Sequence, residues 1–235
     1  MNYLNLDPST QGAEDSEDTQ EPTELLERRL MHLHTQLSHL PQSAEIQERS
    51  EILVHLAETY SKLNQVDEAW EYGRQAFDLS VETQDWERAI QACQNLFLTE
   101  KPQALAALGN GIWLAVTFPV DPELTVLMLE YLVEDTPHDS DGAAVAAATA
   151  HYIADLRTAE QQRENLLFFT NQLLAKVARR HSNVETQEDF EAWFKRLELD
   201  SPEDFLGRLA QILNVIVQDE WWIDRDTIRA QLPIH

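Results

Sequence analysis

The strongest constraint on this chain is a run of apolar and small residues at helical spacing, from Glu51 to Phe97, carried by three successive segments. In the first, Ile52, Leu53, Leu56, Ala57, Tyr60 and Leu63 recur at i, i+3, i+4 and i+7, which places one apolar stripe along a helix face. Asn64-Gln65 interrupts the stripe. Val66, Ala69, Trp70, Gly73, Ala76, Phe77 and Leu79 resume it, and Trp86, Ala89, Ile90, Cys93, Leu96 and Phe97 carry it a third time behind Asp85, a predicted N-cap. Helices joined by a few residues must lie antiparallel, and Ala57, Ala69, Gly73, Ala76 and Ala89 are too small to hold two backbones apart. The expectation is an all-α chain of closely packed, stacked hairpins.

Composition agrees. Only 6 Gly and 9 Pro interrupt 235 residues rich in Ala, Leu, Glu and Gln, and that length suffices for one large or two small buried cores. Cys93 is the single cysteine and falls on an apolar face, so it reads as a small core residue in a reducing compartment. No uncharged apolar run reaches the roughly 18 residues of a membrane span, and the first residues lack the basic-then-apolar order of a secretory signal. These features point to the cytoplasm. A formal net charge of −25 argues against phosphate-backbone recognition, which needs clustered Lys and Arg. The acidity fits a basic partner, a salty environment, or plain solubility.

In chain order, residues 1–22 carry six acidic groups and no basic one, and are expected to be a disordered acidic tail, with Tyr3, Leu4 and Leu6 as a conceivable short docking motif. Residues 23–181 form the expected repeat domain. It opens with a helix capped by Thr23, striped by Leu25, Leu26, Leu30, Leu33 and Leu37 and bearing His32, His34 and His39, which read as solvated; Ser43 to Glu45 then starts the repeats. The Gly109-Asn110-Gly111 segment lacks the strand, the Lys and the wider glycine spacing of a phosphate loop, and reads as a kink or a close helix crossing. Asp121-Pro122-Glu123 starts a helix whose run from Leu124 to Val133 is apolar enough to be central. An Ala-rich helix follows, with His151 and Asp155 spaced i, i+4 as a candidate hydrogen-bonded pair. A long helix then ends on Lys176, Arg179, Arg180 and His181, the only basic cluster, which complements the helix dipole. Residues 182–235 read as a helical capping module, with starts at Thr186, Ser201 and Asp224 and adjacent Trp221 and Trp222 sealing the end of the stack or forming a binding hot spot.

Within this pattern Leu56, Ala57, Tyr60, Ala69, Gly73 and Ala76 sit at the spacings of a tetratricopeptide repeat, with Gly73 where that family has a bulky residue. Ala89, Cys93, Leu96 and Pro102 match the second half of the motif, as do Thr125, Leu129, Leu132 and Pro137. The stretch 51–137 therefore resembles a tetratricopeptide-like array, in one good match and two degenerate ones. Its register is open, because residues 66–80 can serve as either half of a repeat. The resemblance implies an α-solenoid whose concave side grips other proteins.

The expected function is a non-enzymatic cytoplasmic interaction protein, a scaffold or a dedicated assembly chaperone, requiring no cofactor and no metal. Its partner would be another protein, presented as a peptide segment or a helix, and a basic one would fit the acidity; nucleic acid and membrane are not expected, and the Trp-rich end offers a surface for homo-oligomers. Outward positions place Glu58, Asn64, Tyr72, Arg74, Gln91 and Asn95 as groove-lining candidates, joined by Trp221 and Trp222. The competing readings are an all-helical enzyme using His151 and Asp155, for which no nucleophile motif is visible, and an acidic surface that captures a basic protein.

Overall fold

The computed structural model describes residues 21–41, 45–230 and 232. Among them are eleven α-helices and no strand, as the all-α reading requires. They are α1 (Thr23–His39), α2 (Ile46–Lys62), α3 (Val66–Glu82), α4 (Trp86–Phe97), α5 (Ala104–Thr117), α6 (Pro122–Asp135), α7 (Asp141–Arg157), α8 (Glu160–Ser182), α9 (Gln187–Arg196), α10 (Pro202–Val217) and α11 (Arg225–Ala230). Residues 1–20 of the expected tail, with Tyr3, Leu4 and Leu6, lie outside the described residues, as do Ser43 and Ala44. No helix among the described residues is long and apolar enough to cross a membrane.

Short polar side chains set the helix starts. Asp85 accepts from the backbone N–H of Arg88 at 3.2 Å, Asp121 from Glu123 at 2.8 Å, Thr186 from Asp189 at 3.2 Å and Asp224 from Thr227 at 3.0 Å. Ser140 does the same for Gly142 at 3.1 Å, whereas Thr23 is itself the first residue of α1. The helix ends are less orthodox. Asn64, Gln84, Glu100, Asn183, Glu198 and Gln218 all have φ between 51° and 57°, the left-handed conformation that glycine usually supplies. After α2, α3 and α9 the same closure recurs, with Gln65, Asp85 and Leu199 donating to the carbonyls of Tyr60, Ser80 and Phe194 at 2.9, 2.8 and 3.1 Å.

The described residues divide into two compact units, one falling within 26–118 and 213–232, the other within 21–25 and 119–212. In the first unit α2, α3, α4 and α5 each pack on the next, and α2 also packs on α4. Leu56, Phe77, Ile90, Leu96, Leu108 and Ile112 are completely buried there. Gly73 has a packing reason: a Cβ on it would lie 2.9 Å from the Leu96 side chain. Cys93 is wholly buried and burial pushes its thiol pKa up, so it is an inert core residue. Helix α5 is enclosed on nearly all sides, and a Cβ at Gly109 would sit 2.2 Å from Val217 Cγ2, at the end of α10. The glycine thus marks a close helix crossing.

In the second unit α7 packs against both α6 and α8, and α8 also meets α6 and α9. Ala143, Ala144, Ala146, Ala147 and Ala150 are fully buried, and it is α7, with 10 of its 17 residues buried, that is enclosed. Helix α6, expected to be central, buries only 6 of 14. The reason is side-chain size: an alanine helix can be surrounded at short axial distance, while the larger side chains of α6 need one face only.

The close crossing carries a stability consequence. Gly109→Ala should destabilise the protein by roughly 1–3 kcal/mol through overpacking. By contrast Gly207→Ala in α10, where an added Cβ meets nothing within 4 Å, should be neutral or stabilising by about 0.5–1 kcal/mol. Urea denaturation of both variants checks the pair.

Candidate functional site

A depression of about 330 Å³ opens between α2 and the end of α4. From α2 it takes Val54, His55, Glu58, Ser61 and Lys62, and from the α4 side Gln91, Gln94, Asn95 and Leu98. Three expected groove residues, Glu58, Gln91 and Asn95, therefore come together. Asn95 is only 6% exposed and donates from Nδ2 to the Val54 carbonyl at 3.3 Å, so it forms floor rather than rim and ties the two helices.

Glu58 is the electrostatic centre. Arg29 of α1 reaches its Oε2 at 2.9 Å, Lys62 reaches Oε1 at 3.0 Å and His55 Nδ1 stands 3.5 Å from Oε2. A hydrogen bond from His55, followed by one from Lys62 and by the Arg29 and Lys62 charges, holds the carboxyl at about 2 against the opposing effect of burial. His55 Nδ1 also lies 3.3 Å from Arg29 Nη2, but it cannot accept there and donate to Glu58 at once; donation to the carboxylate is the arrangement that lowers the Glu58 pKa. A carboxyl this acidic is a poor proton acceptor at neutral pH. Side-chain amides thus form one wall of the depression, with apolar Val54 and Leu98 beside them.

The other expected residues lie elsewhere. Asn64 closes α2 in the left-handed conformation and is exposed at the turn. Tyr72 stacks on Tyr60 with ring centroids 5.4 Å apart, and His34 of α1 meets both rings edge-on while its Nε2 lies 2.7 Å from the Tyr60 hydroxyl. Arg74 and Trp222 meet each other: the guanidinium carbon stands 3.9 Å from the indole centroid, and Trp70 and Phe77 flank the ring at 6.2 and 5.3 Å. Trp221 is stacked beneath Arg225 at 3.6 Å. Asn110, read only as part of a glycine segment, is completely buried and bonds to the backbone around Trp222. A lone amide inside so apolar a helix was its signal.

His151 and Asp155 do not hydrogen-bond to each other. His151 Nδ1 bonds to the Thr170 hydroxyl at 3.0 Å, and Asp155 pairs with Arg163. Thr170 Oγ1 in turn donates to the Leu166 carbonyl, so the imidazole is the donor toward Thr170. Burial lowers the His151 pKa, against the raising effect of Asp155. The basic cluster is engaged too: Lys176 pairs with Glu134 at 2.9 Å and Arg180 donates to the Val133 carbonyl at 2.5 Å, which joins α8 to the end of α6.

A polar node that no motif announced lies where α7 starts and α8 ends. His181 Nδ1 accepts the indole N–H of Trp193 at 3.2 Å, its Nε2 faces Asp141 Oδ1 at 3.0 Å and Ser182 Oγ lies 2.6 Å from Nδ1. Indole only donates, so the proton sits on Nε2 and points at Asp141. Arg196 donates to Ser182 at 3.0 Å. Each member is held by another, and the node joins α7, α8 and α9.

Compared with known protein families, curated proteins and solved structures, the chain matches none.

Two titrations follow. Because the Glu58 pKa is depressed from 4.5 to about 2, its contribution to stability is present above about pH 4.5 and is lost as pH falls toward 2. Glu58→Gln should therefore be less stable than the parent at pH 6, with the gap closing on acidification in urea titrations. For His151 the folded pKa lies below the ordinary 6.5, so its contribution is full above that value and declines as pH drops beneath it. His151→Gln should flatten the stability profile between pH 7.5 and 5.5; identical profiles would show that this imidazole titrates alike folded and unfolded.

Proposed function

We propose that this chain is a non-enzymatic protein-interaction module, a scaffold or a dedicated assembly chaperone, that grips a peptide segment or helix of another protein. The observation that carries the reading is the depression between α2 and α4, where Glu58, Gln91 and Asn95 converge with Lys62 and Gln94. Amide side chains pair with a backbone whatever its sequence, and an ammonium and a carboxylate on one rim select the charges beside it. The succession α2 to α5, each helix packed on the next, supports an arrangement of stacked antiparallel hairpins of tetratricopeptide-like kind, with α2 and α4 as neighbouring inner helices. The charge of −25 favours encounter with a basic partner. The module works in the cytoplasm on this reading.

The test is a photo-crosslinking amino acid placed at Gln91, with Val215, 70% exposed on α10, as the control position. In the native cell the Gln91 probe should capture a specific protein that the Val215 probe does not. Binding of that protein should then weaken at least tenfold, about 1.4 kcal/mol, in a Gln91→Ala/Gln94→Ala double variant. Equal capture at both positions, or unchanged affinity in the double variant, overturns the proposal.

A further inference from the structure

The end of the chain is bound to the first unit in the manner of a peptide ligand. Helix α10 stops at Val217, which is 1% exposed and fills the space left by Gly109, and Gln218 turns the chain in the left-handed conformation. The non-helical residues that follow form a strap. Asn110 holds it with both ends of one amide: Nδ2 donates to the Glu220 carbonyl at 3.2 Å and Oδ1 accepts the Trp222 N–H at 3.1 Å. A side-chain amide that bonds the carbonyl of residue i and the N–H of residue i+2 holds a backbone through both kinds of its hydrogen-bonding groups. The Trp222 ring then enters a slot made by Trp70, Arg74 and Phe77 of α3.

Three observations single out this contact. Trp222 remains partly exposed, and past Ile223, which is 8% exposed, α11 buries no residue. Arg74 donates from Nη2 to Asp78 at 3.0 Å, but its Nη1 is buried without an acceptor among the described residues, so the strap lies over a guanidinium nitrogen that it does not satisfy. The anchor at Val217 precedes the strap, so residues 219–230 can leave the slot while α10 stays closed against α5.

We infer that the slot of Trp70, Arg74 and Phe77, with Asn110 beside it, is a binding site for an extended segment of another protein that carries a tryptophan at the place of Trp222 and a carbonyl acceptor for Arg74, and that the strap is its internal competitor. This surface is formed by α3 and α5 and is separate from the depression between α2 and α4, so either can stand if the other falls.

The experiment uses the full chain with Asp226→Cys on exposed α11 carrying a nitroxide; Cys93 is fully buried and does not compete for the label. In a Trp222→Ala background the strap has lost its ring and the slot is open to an added peptide of residues 218–230, which supplies it. The peptide should bind, and the nitroxide should become mobile as the strap is displaced. A peptide with alanine at position 222 should bind at least tenfold more weakly, and Arg74→Met in the chain should cost the wild-type peptide at least tenfold. Trp222→Phe, which keeps a ring, replaces Trp222→Ala if circular dichroism shows loss of helix. A folded variant that fails to bind the peptide at millimolar concentration, or that binds it with the nitroxide unmoved, overturns the inference and makes the strap a fixed seal.

Discussion

The first unit depends on helices that approach closely enough for a side chain of one to occupy space where another bears only a hydrogen atom. Leu96 lies over Gly73, and Val217 lies over Gly109. Such contacts put many atoms at van der Waals distance, and dispersion falls steeply with a gap of even half an ångström. The second unit reaches the same closeness with the alanines of α7. Substitutions that add volume at these points must therefore move a helix and not merely a side chain.

That closeness limits what the helices can use to end and to join. With so few glycines, the turns after α2, α3, α4, α8, α9 and α10 are closed by Asn, Gln or Glu in the left-handed conformation, each costing on the order of 1 kcal/mol relative to glycine. The cost persists because tertiary packing fixes the helix positions on both sides of each turn. It also brings α4 back along α2 after α3, which opens the depression, and it turns the chain at Gln218 into the strap. Both candidate surfaces thus follow from how the helices are terminated.

Helices and their starts were legible in the sequence because they rest on local physics: apolar period, and a short polar side chain one residue before it, as at Asp85, Asp121, Thr186 and Asp224. Long-range pairings were not. His151 and Asp155 satisfy the i, i+4 rule, yet Thr170 and Arg163 from α8 offer better partners that no spacing within α7 can reveal. Likewise Trp222 was visible as an aromatic candidate, while its partners Arg74 and Asn110 stand 148 and 112 positions away, differences read directly from the residue numbers. The compact units part inside α10, at Ile212 and Leu213. A helix that is continuous in sequence gives no local sign of that division.

The charge distribution follows from the same geometry. Several cations join one helix to another segment: Arg29 on Glu58, Arg88 on Glu51, Lys101 on Asp67, Lys176 on Glu134, and Arg180 and Arg208 on the carbonyls of Val133 and Leu197. Each exposed pair adds little stability, roughly 0–1 kcal/mol, but each confines a positive charge to a helix junction. The sequence as a whole keeps a net charge of −25, whose field acts over about 8–10 Å at physiological salt. A basic polypeptide approaching the polar depression would be drawn by that field before any hydrogen bond forms, so electrostatics would govern its encounter rate and the amides of α4 its residence.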